Sequence, residues 1–203
     1  MSAPPRAPEP VRGEARRQQV LDAASACFRD HGFHGTSIQR ISQAAGMSAG
    51  HIYHYFDNKE AIVAGIVEQY LHETLELVHR IGEAARSIGI MEAVVAEVAE
   101  GINARADERR NGLDLEILAE ASRNPVIAAA IQQVDQTLRN RMRDLWLQSP
   151  ALKKLPRAEL EARITVLSSL FDGLAIRALC DPSMNKAATT AVVQRVFRML
   201  MSE

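Results

Sequence analysis

The segment that most constrains this chain runs from Thr36 to Tyr55. Capping hydroxyls, one glycine and a few apolar residues fall there at intervals that fit two brief helices about a tight turn. Thr36-Ser37-Ile38-Gln39 has the form of a capping box, in which the first hydroxyl satisfies an orphan amide and Gln39 reaches back to the cap. Gly46 supplies a residue tolerant of positive φ, and Ser48 can cap a second helix carrying Ile52 and Tyr53. Ile41, Ala45, Met47 and Ile52 are placed to fill the interior, with the small Ser42 where the helices cross, so the segment reads as a helix-turn-helix.

The rest of the chain carries the same helical periodicity and no convincing strand. Val20, Leu21, Ala24, Cys27 and Phe28 recur at helical spacing until His31-Gly32. A fourth helix starts at Asp57 or Asn58 and runs through Ile62, Ile66, Tyr70 and Leu77 to about Arg80. Amphipathic stretches follow at about 90–106, 113–123 and 126–148, the last opened by Asn124-Pro125. Two more span about 157–180 and 184–202, with Ser183 as candidate cap, giving eight or nine helices. The expected organisation is all-α: a disordered tail at 1–12, a three-helix N-terminal bundle with the helix-turn-helix at 13–57, and a larger α-helical domain at 58–203.

Charge narrows the function. Lys plus Arg number 24 against 25 for Asp plus Glu, so no global field attracts polyanions and any nucleic-acid binding must be local. No apolar run approaches the ~18 residues of a membrane span. Met1 to Pro10 has no apolar stretch of the signal-peptide kind, so a cytoplasmic protein without membrane partners is expected. Cys27 and Cys180 interrupt apolar patterns as small hydrophobes would, which fits a reducing compartment. His72 and His79 lack metal-ligand spacing, so no metal and no cofactor is expected. An enzyme is not expected either, since no paired carboxylates with a pocket, nucleophile–base set or phosphate-cradling glycine loop is present.

What the helix-turn-helix does present is an outward face of small or hydrogen-bonding residues on its second helix: Ala49, Gly50, His51, Tyr53, His54 and Tyr55. Absence of bulk suits entry into the major groove. Phosphates can be held by hydroxyls and amides at the two helix starts, by the phenols of Tyr53 and Tyr55, and by Lys59.

Residues 13–60 resemble the DNA-binding domain of the TetR (tetracycline-repressor) family. The resemblance rests on the ordered run Ala23-Ala24, Phe28, Gly32-Phe33, Thr36-Ser37-Ile38, Ile41, Ala44-Ala45-Gly46-Met47-Ser48, Gly50, Ile52-Tyr53, Tyr55-Phe56 and Asn58-Lys59-Glu60. It implies a homodimeric repressor that binds a near-palindromic double-stranded operator and is released by a small molecule. It also implies that Thr36, Ser37, Tyr53, Tyr55 and Lys59 contact phosphates, while Gln39, Arg40, Ala49, Gly50 and His51 face the bases or the backbone beside them. Glu116 to Pro125, EILAEASRNP, is similar to the C-terminal domain of the subgroup that includes the choline-responsive repressor.

In the C-terminal half, the penultimate helix has one apolar stripe at Leu160, Ile164, Leu167, Phe171 and Leu174 and a second at Val166, Leu170, Gly173 and Ile176. The last helix places Val192, Val196 and Met199 beside Val193, Phe197 and Leu200. Together they suit a four-helix interface between two subunits, with Leu167, Leu170, Leu174, Val192, Val196 and Phe197 as the expected contacts. Tyr70, Val98, Leu118, Leu138, Trp146 and Phe171 are candidates to line a pocket for a small-molecule effector, ordinary core packing being the competing reading for each. Glu116, Glu120 and Arg123, spaced by four and three, read as a helix-surface ion pair or, alternatively, a polar ligand anchor. The rival overall reading is a dimeric small-molecule-binding or protein-interaction module with a vestigial DNA head.

Overall fold

The computed structural model describes residues 9–105 and 107–202. They form α1 (Glu9–Gly35), α2 (Ile38–Ala45), α3 (Ala49–Tyr53), α4 (Lys59–Ile88), α5 (Ile90–Arg105), α6 (Glu108–Ala121), α7 (Pro125–Trp146), α8 (Arg157–Cys180) and α9 (Lys186–Met201), with a 3-10 turn at Leu152–Lys154 and no strand among them. Of the tail expected at 1–12, residues 1–8 lie outside the described residues, and 9–12 open α1.

Local chemistry sets most boundaries. Gly32 leaves the helical region at φ 71, ψ 168 and kinks α1 where the sequence pattern stops. α4 begins where the Asn58 side chain accepts the Ala61 amide (2.8 Å). It continues past the expected Arg80, because Ile81 is buried and Val78 and Ala85 pack on the same core, and ends before Gly89 at φ 82. α6 starts before the expected residue 113, since Asp107 accepts the amides of Arg109 (2.9 Å) and Arg110 (3.0 Å). Asn111-Gly112 is then carried inside the helix rather than breaking it. Asn185, not Ser183, caps α9: it accepts the Ala188 amide at 3.0 Å, while the Ser183 hydroxyl donates to Asp181.

The chain packs as two compact units. The first comprises residues up to Glu68 together with Leu115–Ala130; the second comprises Gln69–Asp114 and Ile131–Glu203. In the first, Val20, Leu21, Ala24, Phe28, Ile41, Ile52, Ile62 and Val63 are buried almost completely, and so is Ile127 of the returning segment. Gly65 permits close approach of α4 to α1: a Cβ there would lie 3.0 Å from Leu21 and 3.1 Å from Phe56.

The second unit is built on Ile81 of α4, Val94, Val95, Val98 and Ile102 of α5, Leu145 and Trp146 of α7, Leu160, Ile164 and Leu167 of α8, and Val193, Phe197 and Met201 of α9. The Trp146 and Phe171 rings lie 6.5 and 6.0 Å from Phe197. This placement corrects several expectations. Val98 and Trp146, 2% and 1% exposed, are core residues rather than pocket lining. Leu167 and Phe197, each 4% exposed, fill the subunit's own interior rather than an interface. The exposed stripe on α8 is the second one, with Val166 at 50% and Ile176 at 52%, joined on α9 by Val192 and Met199. Leu170, Leu174 and Val196 are half-buried against the core. Leu118, in the first unit, is 54% exposed rather than an enclosed lining residue.

Candidate nucleic-acid interface

Two short helices are held by few backbone hydrogen bonds of their own, so their ends must be fixed by side chains. The Ser37 hydroxyl accepts the Arg40 amide (3.1 Å) at the start of α2, and Ser48 accepts the His51 amide (3.2 Å) at the start of α3. Between them Gly46 takes the left-handed conformation at φ 62. Its turn closes with the Met47 amide on the Ser42 carbonyl (2.9 Å), and Gln19 of α1 donates to the Ala45 carbonyl (2.7 Å). Ser42 is buried, its hydroxyl turned back onto Gln39 (2.8 Å), which removes its polar atom from the crossing.

Gln39, Arg40, Ser48, Gly50, His51, Tyr53 and His54 are exposed, and Ala49 and Tyr55 partly so. Tyr53 exposes 54% of its surface, an unusual position for an aromatic that has only packing to do. The His51 and His54 rings lie 5.4 and 5.1 Å from Tyr55. No acidic residue occurs from Thr36 to Phe56, whereas Arg40 and two histidines do, so nothing in this stretch repels a phosphate.

Two of the expected phosphate contacts are occupied otherwise. Thr36 is 1% exposed and its hydroxyl donates to the Cys27 carbonyl (2.9 Å); it anchors the start of the motif from inside, and Ser37 is the cap. The Lys59 ammonium donates to the carbonyls of Phe33 (2.7 Å) and Thr36 (2.9 Å) and stands 4.2 Å from the centre of the Phe33 ring. Sequence spacing gave no sign of this use, since the pairing spans more than twenty residues. Gln19 was missed for the same reason. Burial pushes the Cys27 thiol up, against the opposing influence of Arg40, as suits an inert packing thiol.

No expected pocket residue borders either of two open grooves found among the described residues of the second unit. One, of about 410 Å³, lies along Val78, Gly82 and Leu145 with Arg86, Arg141 and Asp144 at its rim. The other, of about 360 Å³, lies by Gly89, Met91 and Pro150. Tyr70 instead accepts a hydrogen bond from Arg105 (2.9 Å), and Arg110 lies 5.4 Å from its ring. Phe171 packs on Gly101, where a Cβ would meet its ring at 2.9 Å. Leu138 is half-buried. Among the described residues no group of three metal-ligating side chains is assembled, and no helix is long and apolar enough to cross a membrane.

Comparison with known proteins agrees with this architecture. The regulator UidR of Escherichia coli (strain K12) is 32% identical over 133 residues, or 63% of this chain; the match spans 65% of the length of UidR. The repressor KstR2 of Rhodococcus jostii is 32% identical over 102 residues, half of each chain. Among solved structures, Salmonella enterica GusR superposes with a TM-score of 0.78 at 23% identity, covering 96% of this chain and 97% of its own. The SmeT–triclosan complex gives 0.69 at 22%, covering 91% and 90%. Residues 20–66 match the description "Bacterial regulatory proteins, tetR family", and residues 90–202 match "BetI-type transcriptional repressor, C-terminal". The chain therefore belongs to the tetR family of bacterial regulatory proteins, a family of regulators rather than enzymes.

Proposed function

We propose that this chain is a sequence-specific DNA-binding regulator that acts as a homodimeric repressor on a near-palindromic operator. The observation that carries this is α3 itself: a helix capped by Ser48 that exposes Gly50, His51, Tyr53 and His54 in an acid-free stretch. The Ser37 and Ser48 hydroxyls at the starts of α2 and α3 can donate to phosphates, and the small residues Ala49 and Gly50 admit base edges. In this reading Ser37, Ser48, Tyr53 and Tyr55 position the duplex, while Gln39, Arg40, Ala49, Gly50, His51 and His54 read it.

Dimerisation is assigned to the exposed apolar stripe of α8 and α9, namely Val166, Ile176, Val192 and Met199. An apolar face of this kind finds cover in its own symmetry mate, and a two-fold dimer would set two α3 helices about 34 Å apart, one turn of DNA.

The effector site is assigned near Tyr70 and Phe171, and the support is Asn111. It is 1% exposed; its amide nitrogen donates to the carbonyls of Arg105 and Ala175, and its Oδ1 has no partner among the described residues. A buried acceptor left unpaired suits a small molecule that donates a hydrogen bond. α4, one helix from Lys59 to Ile88, carries both Lys59 and Tyr70 and is assigned as the lever by which an effector acts on DNA binding. A cytoplasmic location follows from operator binding.

The test is selection of bound duplex from a random pool at two salt concentrations. A palindromic site recovered by the wild-type dimer is the expected result. No enrichment by folded dimer would favour a ligand-binding or protein-interaction module instead.

A further inference from the structure

The α1–α2 turn, residues 32–36, leaves helical geometry at Gly32 and so strips several buried backbone groups of their usual partners. They are re-satisfied from two sides. The Lys59 ammonium takes the Phe33 and Thr36 carbonyls. The Phe33 amide donates to a carboxylate oxygen of Glu116, on α6, at 2.6 Å. Gly32 is required twice here: its φ of 71 disfavours a side chain, and a Cβ would stand 3.1 Å from that same oxygen.

One turn along α6, Glu120 forms the expected ion pair with Arg123, but its carboxylate is buried, at 3% exposed, instead of lying on the surface. It accepts from Arg123 (2.9 Å), His34 Nε2 lies 3.1 Å from the same carboxylate oxygen, and Asn124 reaches both Glu120 and Glu60 at 3.5 Å. A buried carboxylate needs such partners, and these partners tie the α6–α7 corner to the end of α1 and the start of α4.

We infer that Glu116 and Glu120 are positioning residues for DNA binding: their carboxylates hold the turn that presents Ser37 and α2 to the duplex, although neither touches DNA. The inference rests on the DNA-binding reading above and extends it to a segment far outside the helix-turn-helix. An amide-to-carboxylate bond at 2.6 Å is charge-assisted and directional, so it fixes where residue 33 lies and, through four further residues, where α2 begins.

The test uses the full-length chain and the operator selected by the wild type. In Glu116→Ala, hydrogen exchange of the Phe33 amide accelerates at least tenfold and operator affinity falls at least tenfold. The salt dependence of binding keeps its wild-type slope, because no phosphate contact is lost. Glu116→Gln removes the same charge but retains an acceptor, and it restores both exchange protection and affinity to within a few-fold. If Glu116→Ala does not fold, Glu116→Asp, which withdraws the oxygens by one methylene, is held to the same expectations. Faster Phe33 exchange with unchanged operator affinity overturns the inference, and so does a loss of affinity that Gln fails to rescue. Failure of the DNA-binding reading is seen separately, in wild-type protein that selects no site.

Discussion

Lys59→Met is the substitution that most sharply separates two uses of one side chain. Methionine keeps the stem of lysine and deletes the ammonium, which donates to two carbonyls at 2.7 and 2.9 Å and faces the Phe33 ring at 4.2 Å. Hydrogen bonds to a charged group contribute about 1.5–3 kcal/mol each, and a cation over a ring about 0.5–2 kcal/mol. Desolvation of the half-buried ammonium offsets part of this, leaving a net loss of about 3 kcal/mol. The only tryptophan, Trp146, lies in the second unit, so its fluorescence does not report on the affected region. Amide exchange along α2 does, and 3 kcal/mol corresponds to exchange faster by about 150-fold if it proceeds through local opening. Operator affinity should fall through disorder of the turn, with an unchanged salt slope. Unchanged α2 protection, together with a salt slope smaller by about 0.9, the value of one lost phosphate contact, would refute the reasoning and return Lys59 to the DNA backbone.

Four further outcomes are expected. Burial raises the Asp114 carboxyl above the usual carboxylate range, with Arg110 and Arg105 opposing. The folded state then holds this proton more tightly than the unfolded chain, so its cost is absent below the unfolded pKa and grows as pH rises through the folded one. Asp114→Asn should accordingly raise Tm at pH 7 more than at pH 3 in parallel melts, and an equal effect at both would contradict that sign. Ile176→Glu puts a charge on the exposed α8 stripe and should convert the proposed dimer to a folded monomer in sedimentation, whereas Leu167→Ala should lower stability by about 2–5 kcal/mol in chemical denaturation. Gly101→Ala forces a Cβ to within 2.9 Å of Phe171 and should cost about 1–3 kcal/mol in the same assay.

The parts of the fold visible in the sequence are those set by near neighbours. Ser37, Gly46 and Ser48 act within four residues of themselves, so the helix-turn-helix could be drawn from spacing alone. Thr36 shows the limit: its hydroxyl looks like a cap, but Phe33 and Cys27 enclose it, and the next hydroxyl takes the role. Lys59 and Glu116 were misread for a different reason, because their partners lie across the fold and have no local periodicity. On α8 both stripes are apolar in sequence, and packing shows that Leu167 faces inward and Val166 outward. Pocket lining was the least legible, since Trp146 and Val98 fill a core with the same residue types a pocket would use.

The first unit is assembled from two stretches of chain, residues up to Glu68 and Leu115–Ala130. During synthesis the helix-turn-helix emerges well before the segment that supplies Glu116 and Glu120, with residues 69–114 still to be added. Its Phe33 amide therefore waits for its carboxylate acceptor until α6 has been made. The same discontinuity limits recombination between relatives: a head exchanged at residue 58 would arrive without the carboxylates that complete its own backbone.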